Sequence, residues 1–176
     1  MRSRADDNEV DFIIVKNEEY ILSQSESKRL FQEYQQHIRL CWENPNTGCE
    51  ARADLMAEIA LEKGYFPRKI WMYPNSGSIL SAHINRSRTE TVTWSFHVAP
   101  LLRVEIGGVN RELVFDPTLF DGPQEISDWT ARYSNGSNEM YLKYGDPKSY
   151  FTDSDHYYVE EIRDKALKTR EKALKS

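Results

Sequence analysis

The stretch TVTWSFHVAPLLRVEIGGVNRELVFDP, residues 91–117, constrains the fold more than any other, because Gly107–Gly108 separates two apolar runs. A two-residue hairpin turn needs positive φ at both central positions, and glycine supplies that without steric cost. The turn then sets the register. It places Arg103 opposite Glu112, an opposite-charge pair, and Ala99 opposite Asp116, whereas a four-residue loop would set Glu105 against Glu112. Upstream, Thr91, Thr93, Ser95 and His97 alternate with Val92, Trp94, Phe96 and Val98, the period of a strand with one buried face. This reading puts His97 on the polar face, diagonally across from Asp116, with Cα atoms about 7–8 Å apart.

A second constraint is NPNTGCEARADLMAEIALEKGY, residues 44–65. It predicts a helix from about Cys49 to Lys63, ended by Gly64, with Leu55, Met56, Ile59 and Ala60 on its inner face. Cys49 falls in the first turn, where backbone N–H groups are unpaired and the macrodipole is positive. Both effects favour a thiolate. A nucleophilic thiol needs a base, and the base needs a third group to fix its tautomer. Cys49, His97 and Asp116 supply those roles in chain order. The same residues also admit a plainer account: a structural cysteine, a solvated histidine, and Asp116–Pro117 beginning a turn.

The remaining chain fits one domain over 1–176, with a core of about 12–154. FIIV at 12–15 is a short strand candidate. Ser23 and Glu26 form a capping box opening a helix whose buried stripe is Leu30, Phe31, Tyr34, Ile38, Cys41 and Trp42, stopped at Asn44–Pro45–Asn46. KIWMY at 69–73 predicts another strand, followed by a long polar loop to about residue 90 of the kind that forms lids. Residues 155–176 predict a charged terminal helix with a narrow apolar stripe. Trp71, Trp94 and Trp129 are candidates for substrate contact.

A net charge of −5 without a basic patch argues against a nucleic-acid partner, and no apolar run reaches membrane-spanning length. Two cysteines make no disulfide framework, and no His/Cys spacing suggests a metal site. MRSRADDNEV has no apolar segment behind its charges, so no signal peptide is expected. Localisation stays open between a secreted or delivered effector domain and the cytoplasm.

Taken together, GCEARA at 48–53, WSFHVAP at 94–100 and VFDPTLFDGPQEISDW at 114–129 resemble the bacterial protein-glutaminases, or protein glutamine deamidases. The resemblance covers the middle half of the chain. It implies an α+β, papain-like/transglutaminase-like fold: N-terminal helices, with the nucleophile at a helix N-terminus, packed on an antiparallel sheet carrying His and Asp. By the same resemblance Cys49 is the nucleophile, His97 the base and Asp116 its orienting acid. The expected reaction is hydrolysis of protein-bound glutamine side chains to glutamate through a cysteinyl thioester, with no metal or organic cofactor. Where the family has an aromatic residue after the cysteine and a histidine after Ala-Arg-Ala, this chain has Glu50 and Asp54. Secreted members carry a pro-segment over the site, for which this chain shows no obvious room.

The expected partner is a protein or peptide with an accessible glutamine, alongside a target or inhibitor protein if the chain is an effector or toxin. A transglutaminase or a papain-like cysteine peptidase would use the same three residues. A non-catalytic binding domain of the same fold is the alternative from another class.

Overall fold

Ser23 ends the two-residue strand β1 (Leu22–Ser23) and caps helix α1 (Gln24–Gln36). Its hydroxyl accepts from the Glu26 N–H, and its own N–H donates to the Glu26 carboxylate, the reciprocal pairing that the sequence predicts. Leu30, Phe31 and Tyr34 are buried on one face of α1. The computed structural model describes residues 20–37, 48–75, 79–84, 90–133 and 140–149, with Lys168 and Glu171. The expectations for FIIV at 12–15, for Ile38, Cys41 and Trp42, and for the 155–176 helix lie outside these residues, except that Lys168 and Glu171 are helical.

Helix α2 (Cys49–Glu62) starts where the sequence places it. Gly48 takes φ 76°, a left-handed conformation that turns the incoming chain onto the helix axis. Leu55, Met56, Ile59 and Ala60 are buried as expected, but so are Arg52, Ala53, Asp54 and Ala57, so the helix is enclosed nearly all round.

The main sheet has the order β7 (Gln124–Glu125), β6 (Val109–Val114), β5 (His97–Ile106), β2 (Arg68–Pro74) and β8 (Met140–Gly145). These neighbours are antiparallel; β1 adds a short parallel pairing to β5 at Val104 and Glu105, beyond the stretch that β2 covers. The hairpin register is the one the glycines dictate, with Arg103 opposite Glu112 and Ile106 opposite Val109. Gly107 and Gly108 take φ values of 60° and 80°, the positive pair of a type I′ turn. Glu112 forms its ion pair with Arg68 of β2.

Two expectations fail in the stretch leading into β5. The strand over 91–98 is broken by a bend at Ser95–Phe96. Its first half, β4 (Thr91–Trp94), pairs with β3 (Leu80–His83) in a separate two-stranded sheet. The bend resets the alternation, so His97 is 2% exposed rather than on a polar face, and it pairs with Met72 of β2. The long polar loop is likewise not all loop. Leu80 and Ala82 of β3 pack with Val92 and Trp94 under the sheet.

Along β5, Val98, Leu102 and Val104 face helices α1 and α2, while Ala99 and Leu101 face the β3–β4 hairpin and α3 (Ile126–Ala131). Each Leu or Phe fully buried in these layers contributes about 1.5–3 kcal/mol. A buried cation contributes nothing of that kind, so Lys69, 1% exposed, needs partners. Its Nζ lies 3.2 Å from Asp54 Oδ1 of α2 and 3.4 Å from the Ser149 carbonyl, tying α2 to the sheet. Among the described residues no helix is long and apolar enough to cross a membrane.

Candidate active site

His97 and Asp116 reach each other because the hairpin register leaves them on one face at the end of β5 and β6. The ladder's last pair is Leu101–Val114. One further bond, from the Phe115 N–H to the Pro100 carbonyl, carries the register to the edge of Asp116. Asp116 then begins a turn, as the plainer account expected: its carbonyl accepts from the N–H groups of Leu119 and Phe120. Its side chain is not spent on that turn alone. Oδ2 accepts from His97 Nε2 at 2.9 Å and from Trp129 Nε1 at 2.9 Å, and Oδ1 accepts from the Thr118 N–H at 3.2 Å.

Burial alone would raise the Asp116 carboxyl. The charge of His97, hydrogen bonds from His97 and Trp129, and the Arg52 guanidinium outweigh it and hold the group below the usual carboxylate range. With Nε2–H donating to Asp116, the lone pair of a neutral imidazole falls on Nδ1. Nδ1 is buried and has no hydrogen-bond partner among the described residues. The ring is packed among tilted aromatic neighbours. Trp94 lies 4.6 Å away between centroids, with Trp129 and Tyr133 at 6.1 Å.

Cys49 arrives from the other side of the sheet, at the start of α2. Its Sγ lies 4.0 Å from the Phe96 carbonyl and accepts from the Val98 N–H, so it rests against the peptide groups on either side of His97. Ala53, Trp71, Tyr73, Phe96 and Val98 enclose it, and it is 5% exposed and free of any disulfide. The expected lowering of the thiol pKa at a helix start does not occur in this resting form. Burial pushes the thiol well above its ordinary value, and the Glu50 carboxylate, 3.4 Å away, adds to the rise. Arg52 and the Val98 N–H pull the other way without prevailing.

The three tryptophans singled out in the sequence are all buried here. Trp71 backs the thiol, Trp94 packs tilted against His97 and Trp129 donates to Asp116. Sequence reasoning missed Arg52, whose charge acts on both Cys49 and Asp116; its place one turn along α2 from the cysteine was the available signal. It also missed Tyr133, packed edge-on against Trp94 and Trp129, with a buried hydroxyl that has no partner among the described residues; nothing local marks it. Among the described residues no His, Cys, Asp and Glu groups gather in a way that could hold a metal ion.

A thiol at a helix start, set against the backbone of a histidine that a buried carboxylate orients, is the equipment of thiol-dependent amide chemistry. Residues 27–133, more than half of the chain, match the model of the glutaminase family, and the chain belongs to that family. The fold is similar to a crystal structure of protein-glutaminase, with 24% identity and a TM-score of 0.71 over 86% of this chain and 85% of that one. An NMR structure of protein-glutaminase from Chryseobacterium proteolyticum gives 24% identity and a TM-score of 0.64, covering 85% and 84%. A crystal structure of pro-protein-glutaminase gives 24% and 0.70, covering 89% of this chain and 59% of that longer one. No curated protein matches the chain.

Proposed function

We propose that the chain deamidates glutamine side chains within proteins, converting them to glutamate and releasing ammonia, with Cys49, His97 and Asp116 as its catalytic residues. Family membership supports the reaction class. The observation that carries the residue assignment is the His97 Nε2–Asp116 Oδ2 hydrogen bond, which leaves Nδ1 as a buried basic nitrogen beside the backbone that Cys49 Sγ touches.

Because the resting thiol is neutral, its proton passes to Nδ1 as sulfur attacks the carboxamide carbon of the substrate. The S–C bond forms and the carbonyl π pair moves onto oxygen. The Cys49 N–H, in the first turn of α2 where such groups have no intrahelical acceptor, donates to that oxyanion. Collapse breaks the C–N bond, and Nδ1–H protonates the departing nitrogen as ammonia. Water then gives a proton to Nδ1 and attacks the thioester; the C–S bond breaks, Nδ1–H returns its proton to the sulfur, and the new carboxylic acid loses its proton to solvent, leaving glutamate and the restored thiol. Asp116 holds the tautomer and offsets the imidazolium charge throughout. The papain-like, transglutaminase-like character of the fold is part of this reading. Its support is the nucleophile helix packed on a sheet that presents His and Asp in that chain order.

The test is ammonia release from casein by the wild type and Cys49→Ala, with and without a lysine-type amine, followed by mass spectrometry. Amine-independent release, Gln converted to Glu, and an inert variant are the expected results. Release that requires the amine would replace deamidation with transamidation.

A further inference from the structure

The carboxylate beside the nucleophile has no use in the chemistry above. Glu50 Oε2 sits 3.4 Å from Cys49 Sγ, and among the described residues that thiol is its only hydrogen-bond or ion-pair contact. Glu50 is half-buried while the thiol is almost wholly enclosed, so the carboxylate is the more solvent-exposed of the two groups. An acid in the first turn does complement the helix macrodipole, but its side chain need not lie against a catalytic sulfur to do so.

A partly exposed carboxylate beside the sulfur, with no counter-charge among the described residues, is complementary to a cation arriving from outside. We propose that Glu50 is a specificity-determining residue that recruits a lysine or arginine side chain flanking the target glutamine and disfavours an acidic flank. This inference rests on the deamidase reading and adds to it the chemical class of substrate. A cation seated on Glu50 offsets the negative charge that opposes ionisation of the sulfur, so the preferred substrate also eases the attack. The product glutamate forms beside a like charge, which favours its departure.

The experiment compares three glutamine peptides, flanked on both sides by Lys, Ala or Glu, using ammonia release by wild type, Glu50→Gln and Glu50→Asp. In wild type kcat/KM falls from the Lys to the Glu peptide on the order of tenfold. Glu50→Gln brings the three within about threefold, and Glu50→Asp restores the order. A wild type without preference, or a Glu50→Gln variant that keeps it, overturns the proposal. A second readout needs no deamidation: alkylation at Cys49 by anionic iodoacetate against neutral iodoacetamide, followed by mass spectrometry. Glu50→Gln raises the iodoacetate-to-iodoacetamide ratio several-fold, and an unchanged ratio overturns the proposal. No ammonia from any peptide together with a raised ratio would sink the deamidase reading and leave the charge selection at Glu50 standing.

Discussion

The two halves of the candidate site are prepared to different degrees. On the hairpin side, Asp116 already accepts three hydrogen bonds, from His97, Trp129 and Thr118, and aromatic rings clamp the imidazole. On the helix side, Cys49 is a buried neutral thiol donating to Glu50, held in the less reactive of its two protonation states. The contrast teaches where work remains at the moment of reaction. Orientation of the proposed base is built into the fold, while the proposed nucleophile rests in its un-ionised form.

The largest expected effect tests the finished half. Asp116→Asn removes the charge that supports the imidazolium and allows the wrong tautomer, so kcat should fall on the order of 10³-fold with little change in KM. A loss of less than about tenfold would mean that the hairpin pair is structural. Next comes the anchor beneath the helix half. Lys69→Met removes the buried Lys69–Asp54 ion pair and should cost about 3 kcal/mol in urea unfolding, with Asp54→Asn in the same chain recovering part of it.

A smaller effect is expected at Trp129→Phe, which keeps the ring packing but deletes one donor to Asp116. Here kcat should drop about tenfold, a cost near 1.4 kcal/mol. The acidic limb of the pH–rate profile should move up, because a hydrogen bond that lowers the carboxyl pKa is gone. The smallest effect sharpens the helix half. A thiol raised in the folded state ionises first in the unfolded chain, so stability should decline as pH rises above about 8.5, and Cys49→Ala should flatten that decline. Above about pH 10 both proteins should decline together, since buried Tyr34 and Tyr133 are raised in the same way.

What was legible in the sequence were features with a local cause. Gly107–Gly108 and the Arg103–Glu112 pairing settled the hairpin register, and the apolar spacing of α2 placed Cys49 at its start. What was not legible depended on neighbours far along the chain. The face of His97 was misjudged because the Ser95–Phe96 bend interrupts an alternation that continues unbroken in the residues themselves. The ionisation of Cys49 was misjudged because a helix start is read locally, whereas desolvation by Trp71, Tyr73 and Phe96 is a product of packing. The β3 strand was missed because Leu80 and Ala82 are too few, among polar residues, to announce a period. Glu50 stood out only against the family pattern, and its contact with the sulfur gave that departure a physical meaning.

The Gly107–Gly108 turn lies at the opposite end of β5 and β6 from His97 and Asp116. Exposed turns ordinarily tolerate changes of length over evolutionary time. This one does not share that freedom. A change at the turn that slipped β6 by one place would swing Asp116 to the face that belongs to the helices, leaving the imidazole without its acid. Lineages descending from this chain can therefore exchange the glycines for Asn-Gly or Asp-Gly far more readily than they can add to them, and a surface turn is inherited with the chemistry as though it were part of the site.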